Sequence, residues 1–198
     1  MGTNRFDGVA GLATAKLMAR MNRNAEIEAI EILGPQTGNR VLAIGIGPGV
    51  GVHHLATSVP GVSIAGIDPS AAMLADARRR NRASIESGTV ELVQTTADAL
   101  IWEDMSFDGV VAVNSIQMWD PLDASLAEVA RVLRPSGRLI TLTHDWAIER
   151  STGRSTDAWA EWVRRLATPV GLTELESWRA RSERGKSVAL TLTKRNAE

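Results

Sequence analysis

RVLAIGIGPGVGVHHLATSVPGVSIAGID, residues 40–68, spells a strand, a glycine-rich turn, a helix and a second strand that ends on an acid. Val41 to Ile46 is an apolar run rich in branched side chains, the composition of a strand buried on both faces. Gly45, Gly47, Gly49 and Gly51 follow at alternate positions, so the turn can take positive φ and a ligand can come close to its backbone. His53 to Ser58 has room for a helix, whose N-terminus offers unpaired N–H groups. Val62 to Ile67 reads as the second strand, with Asp68 at its C-terminal end. A carboxylate roughly 20 residues beyond the glycines can accept hydrogen bonds from both hydroxyls of a ribose. The spacing implies an α/β protein that binds a nucleoside.

A dinucleotide fingerprint places glycines first, third and sixth, and the sixth place counted from Gly45 is Val50. The phosphate loop of nucleotide triphosphatases needs Gly-Lys-Ser/Thr, and no lysine lies between Lys16 and Lys186. The order present, Gly-x-Gly-x-Gly with Pro48 inside it, resembles the first motif of the class I S-adenosylmethionine-dependent methyltransferases. The family usually has Asp or Glu where this chain has Ala43, an acid that helps hold the methionine end of the cofactor. A second resemblance is EVARVLRPSGRLI, residues 128–140, which is similar to the family's helix-turn-strand scaffold, with Ser136 in place of a glycine.

Composition narrows the class further. Hydrophobic content of 44%, charged content of 23% and a net charge of −1 suit a soluble globular domain with no general pull toward nucleic acid or membrane. The absence of cysteine excludes disulfides, thiolate catalysis and cysteine-based zinc sites, and fits a cytoplasmic enzyme. No histidine-rich or acid-flanked ligand set points to a metal. No apolar run is long enough to span a bilayer, and the N-terminus lacks a signal-peptide pattern.

Apolar spacing predicts two helices within residues 8–33, stopped by Gly34-Pro35, and a helix from Ala71 to Arg82 capped by Ser70. Arg78, Arg79, Arg80 and Arg82 at the end of that helix read as solvated cations that complement its dipole. Strands follow at Val90 to Gln94 and Phe107 to Val113, then a helix from Leu122 to Leu133 and a strand from Arg138 to Thr143. Arg134-Pro135-Ser136-Gly137 is a stop signal between the last two. Ala158 to Leu166 reads as a helix, and Thr173 to Arg181 with Ser187 to Lys194 as an antiparallel hairpin.

The resemblance covers about residues 37–194 and implies a Rossmann-like α/β fold. Its seven-stranded sheet has the order 3-2-1-4-5-7-6, strand 7 antiparallel, with helices on both faces. It implies a single domain, 1–198, whose first 36 residues form a helical lid over the core. The implied cofactor is S-adenosylmethionine, leaving S-adenosylhomocysteine as product. Gly45, Ile46, Gly47, Pro48 and Gly49 would cradle its methionine moiety, Asp68 its ribose, and Ala97, Asp98 and Ala99 its adenine, with Pro69 and Met73 also at the cofactor. Asn114 and Ser115 would lie beside the transferable methyl. Gln117, Trp119, Trp146, Met21 and Asn22 would face the acceptor, although the aromatic and methionine side chains equally suit core packing. His144, with Asp145 beside it, is the candidate general base. The acceptor would be a small molecule, as neither a large acceptor domain nor a strong basic face is present, and a homodimer is compatible. Two alternatives use the same pocket: a catalytically silent cofactor-binding protein and a pericyclase.

Overall fold

Short runs of branched residues, each followed by a turn and an amphipathic helix, fold into one sheet with helices on both sides. The structure, a computed structural model, describes residues 22–182 and 185–196. Its strands are β1 (Arg40–Ile44), β2 (Ser63–Ile67), β3 (Val90–Val93), β4 (Phe107–Val113), β5 (Leu133–His144), β6 (Leu172–Arg179) and β7 (Ser187–Lys194). They lie in the order β3-β2-β1-β4-β5-β7-β6, as the resemblance implies. The first five are parallel, and β7 runs antiparallel between β5 and β6.

Alternation along β1 assigns the two faces. Val41 and Ala43 join a core with Ala29, Leu55 and Leu74, from α1 (residues 22–33 of the described chain), α2 (Val50–Ser58) and α3 (Ala71–Arg80). Leu42 and Ile44 point the other way, into a second core. That core holds Leu126 of α5 (Leu122–Val132) and the fully buried Trp159 of α7 (Thr156–Ala167). Two shorter helices complete the set, α4 (Arg82–Glu86) and α6 (Asp145–Thr152). Among the described residues no helix is long and apolar enough to cross a membrane.

The described part of α1 lies tight on the sheet. A side chain on Gly109 of β4 would run into Leu33, at 2.5 Å from its Cδ1. Arg138 of β5 donates to the Leu33 carbonyl, and the Glu28 carboxylate accepts from the N–H groups of Arg181 and Ser182, at 2.9 and 2.7 Å. The first of the two expected N-terminal helices falls largely outside the described residues.

Other boundaries move for identifiable reasons. Helix α2 starts at Val50, ahead of the expected His53, because Gly49 takes φ 76° and ψ 30° and so serves as the residue flanking the first turn. The expected helix from Ala71 to Arg82 breaks at Asn81, whose buried side chain bonds elsewhere. Helix α6 begins where the strand end was expected to trail off.

The segment 134–137, read as a stop, is taken into β5 as an irregularity: Phe107 pairs with Leu133, but Gly109 pairs with Arg138. Ser136 adopts φ 64° there, the conformation that favours a glycine. Beside this bulge Arg131, at the end of α5, donates to the carbonyls of Leu100 and Trp102 at 3.1 and 2.7 Å and pairs with Glu128 and Asp104. Its side chain thus clamps the loop before β4 onto α5. Replacing it leaves carbonyls without a charged donor, so Arg131→Ala should lower stability by about 1.5–3 kcal/mol, read from the urea midpoint at unchanged slope.

Candidate functional site

The C-terminal ends of β1, β2 and β4 meet at the glycine turn. Gly45 has φ 73°, and its N–H and that of Ile46 donate to the Ile67 carbonyl at 2.8 and 3.1 Å. A Cβ at Gly45 would lie 2.4 Å from the Ser115 Cβ, while Ser115 Oγ donates to the Ile44 carbonyl at 2.8 Å. The turn after β4 is therefore pressed against the turn after β1, and only a bare α-carbon allows the approach. Asp68 ties the next turn in. Its Oδ2 accepts from Gly47 N–H at 2.8 Å and its Oδ1 from Ser70 N–H at 2.9 Å. Burial pushes the carboxyl above its ordinary value, while the two N–H donors pull the other way. Each oxygen keeps a second lone pair for a further donor.

The loop is also held from behind. Asn81 Nδ2 donates to the carbonyls of Gly49 and Ala77 at 3.1 and 2.9 Å, and Arg80 Nε to the Pro48 carbonyl at 3.0 Å. The basic helix end is exposed, as expected, and its arginines also make polar contacts. Arg80 braces the loop, Arg79 pairs with Asp76 and Arg82 with Glu86. An asparagine after a helix of arginines was the available sign of a terminus there.

On the other side of the cleft Asn114 takes φ 50°, unusual for a side-chain-bearing residue. Its Nδ2 donates to Asn22 Oδ1 at 3.1 Å and its Oδ1 accepts from His144 N–H at 2.8 Å. The Gln117 amide donates to its carbonyl at 2.9 Å. The buried His144 ring has Nε2 3.2 Å from Asn22 Oδ1 and Nδ1 2.7 Å from Ser187 Oγ. Since Asn22 Oδ1 can only accept, a neutral ring carries its proton on Nε2 and accepts from the serine hydroxyl at Nδ1. To take a proton from an acceptor, His144 would first have to release Ser187. Asp145 does not back it: that carboxylate pairs with Arg179 and accepts from Thr156 Oγ1 at 3.0 Å.

A cleft of about 120 Å³ opens between these turns, and Gly45, Pro69, Ala97, Asp98, Ser115 and Trp119 are among the residues that line it. Sequence reasoning had not included Met118, Asp120 and Ser125, which border it too. Gln117 stands in the turn beside it, bonded to Asn114. Met73 is buried in α3 with its N–H turned to the Ser70 cap, and Ala99 is exposed; neither lines the cleft, and neither do Ile46, Gly47, Pro48, Gly49, Asp68 and Asn114. Trp146, 48% exposed, stacks on His144 with ring centres 5.9 Å apart. Met21 lies outside the described residues.

A smaller space of about 30 Å³ lies under the glycine turn, bordered by Glu26, Ala43, Gly45, Ile46, Gly51 and Val113 among others. Glu26 comes from α1, one turn before Ile30 on its sheet-facing side, and belongs to no motif in the sequence. Its Oε2 is fully enclosed and has no hydrogen-bond partner among the described residues. Burial pushes its pKa up to about 8, against a bond from Gly51 N–H and the field of Arg80.

The methyltransferase domain family matches residues 41–137. A ubiquinone/menaquinone biosynthesis C-methyltransferase of Pseudomonas savastanoi is 31% identical over 168 residues, covering 84% of this chain and 66% of the relative. An O-methyltransferase of Pyrenophora dematioidea is 35% identical over 113 residues, covering 57% of this chain and 42% of that protein. The chain thus spans less than two thirds of either relative. Among solved structures, an S-adenosylmethionine-dependent methyltransferase from Aquifex aeolicus shares the fold with a TM-score of 0.73 at 17% identity, covering 91% of this chain and 97% of the other.

Gly45→Ala should destabilise by about 1–3 kcal/mol from backbone strain, and by more where Ser115 cannot yield; Ser115→Gly in the same protein should restore only the steric part. Urea unfolding of the single and double variants reads the difference. A second outcome concerns pH. The ligand-free folded chain keeps a proton on Glu26 that the unfolded chain releases above about 4.5, so stability should fall as pH rises from about 4.5 to about 8. Asp68, also raised, adds in the same direction from lower pH. Glu26→Gln, a neutral mimic, should flatten the Glu26 share, measured by thermal melts across that range.

Proposed function

We propose, for a chain that belongs to the class I S-adenosylmethionine-dependent methyltransferase family, that the cleft over β1, β2 and β4 binds S-adenosylmethionine and that the protein passes its methyl group to a small-molecule acceptor. The observation that carries this reading is Asp68: a buried carboxylate at the end of β2, hydrogen-bonded to the glycine turn and set between Ile67 and Pro69, which both line the cleft. The residues present fit the cofactor. Asp68 has lone pairs left for ribose hydroxyls, Ala97 and Asp98 offer a small surface and an acceptor for adenine, and the glycine turn has no side chains at Gly45, Gly47 and Gly49 to block a close approach.

The sulfonium supplies both the reactive methyl and the leaving group, so the protein's share is alignment and exclusion of water. Ser115 and Asn114 set the wall beside the glycine turn, Asn114 held in place by Asn22 and His144. Met118 and Trp119 form the rim on which an acceptor can rest, with Trp146 half-exposed next to His144. His144 enters this proposal as an organiser of Asn22 and Ser187, and as a base only when Ser187 lets go. The relatives' names, an O-methyltransferase and a quinone-biosynthesis C-methyltransferase, favour a small acceptor.

Calorimetry is the direct test. S-adenosylmethionine and S-adenosylhomocysteine should bind, and Asp68→Ala should weaken both by about 10- to 100-fold, as loss of charge-assisted hydrogen bonds implies. Binding of NAD in their place would overturn the assignment. Mass spectrometry of a small-acceptor panel should then show a gain of one methyl group; cofactor binding without it would leave a protein that uses the cleft for another task.

A further inference from the structure

Glu26 is a polar group with unfinished hydrogen bonding in an apolar place. Its neighbours around the small space under the glycine turn are Ile30, Ala43, Ile46, Val52, Leu55 and Val113, and no other ionisable side chain borders that space among the described residues. The fit around it is close. A Cβ at Gly51 would come within 3.3 Å of both the Glu26 carboxyl carbon and its Oε2, so Gly51 is the residue that makes room for the carboxyl group. The Gly51 N–H, in the first turn of α2, favours the ionised form, and that helix has no side-chain cap and no acid of its own there. The Glu26 carboxyl thus sits against the positive end of a helix that is not its own. Its Oε2 is enclosed and unpaired among the described residues. Leaving a buried acceptor unpaired is costly, which needs a reason.

Position supplies one. The space is bordered by Gly45 and Val113, the residues at which the β1 and β4 turns begin, and by Ala43, which carries only a methyl group. Resting on the cofactor assignment above, we infer that Glu26 is the receptor for the α-ammonium group of the cofactor's methionine end. The carboxyl is neutral while the space is empty and gives its proton to solvent as the ammonium arrives. A cation beside Oε2 completes its hydrogen bonding and favours the ionised form. The charged groups that act on it are few: Arg80, through space from the end of α3, and the positive end of α2. The acid the cofactor needs therefore comes from α1 and not from β1.

Two kinds of titration test this, both on the full chain. S-adenosylhomocysteine binding is measured calorimetrically near pH 7 in buffers of different ionisation enthalpy. The wild type should release close to one proton per ligand, since the group starts with a pKa of about 8. Glu26→Gln should release none and bind about 10- to 100-fold more weakly. The wild type should also prefer S-adenosylhomocysteine over the analogue in which the amine is replaced by hydrogen, by a similar factor, and Glu26→Gln should lose that preference. Because the second comparison uses the unaltered protein, it holds even where the variant folds poorly. Equal binding of the two ligands by the wild type, or an unchanged proton count in Glu26→Gln, would overturn the inference while leaving the cofactor assignment standing. Failure of the wild type to bind either adenosyl ligand would remove the assignment itself.

Discussion

Two hydrogen bonds to one carboxylate set the frame on which the site depends. Asp68 Oδ2 takes the N–H of Gly47 and Oδ1 that of Ser70, so the turn after β1 and the turn after β2 share one anchor. The same serine caps α3 through its Oγ, and the far end of α3 returns to the glycine turn through Arg80 and Asn81. The turn is thereby gripped at Gly47 from one end of α3 and at Pro48 and Gly49 from the other. A loop of glycines would otherwise keep too much freedom to present a fixed surface. Here its entropy is removed by polar contacts that are themselves buried or half-buried, where such bonds are least exchangeable with water.

That closed circuit also explains which parts of the architecture the sequence reveals. The strands, the glycine turn and the acid at the end of β2 follow from local pattern, while the strand order is what the family resemblance implies. Features that depend on distant partners do not. Asn81 ends α3 because Gly49 needs a donor 32 residues away, and the bulge at Ser136 exists because Gly109 and Arg138 must pair past it. The gathering of Pro69, Ala97, Asp98, Ser115 and Trp119 around one cleft was legible once the strand order was known, because parallel strands bring their C-terminal turns to one edge. Met73 and Ala99 do not border that cleft, because adjacency in sequence to a strand end does not say which way a helix or turn then faces. Glu26 was invisible because an acid on an apolar helix face reads as an error of pattern until the surface opposite it is seen.

The described part of α1 has the attachments of a fixed wall. Leu33 fills the notch at Gly109, its carbonyl takes Arg138, and Glu28 fastens the middle of the helix to the turn between β6 and β7. Asn22 then reaches Asn114 and His144 from the other end. Four elements, α1, β4, β5 and β7, thus converge on two amide groups and one imidazole.

Two unfavourable features lie on that side of the molecule. Asn114 holds φ 50°, and Glu26 keeps an enclosed oxygen unpaired among the described residues. Each such feature costs of the order of 1–3 kcal/mol, a sizeable share of the stability of a domain this size. They persist because the surroundings over-determine them: Asn114 is bonded through its N–H, its carbonyl and both side-chain atoms. Strain fixed so firmly cannot relax to accommodate a ligand, so a ligand must accommodate it. Rigid walls of this kind select by complementarity, and under the inference drawn above the enclosed oxygen of Glu26 would select for a donor on the ligand.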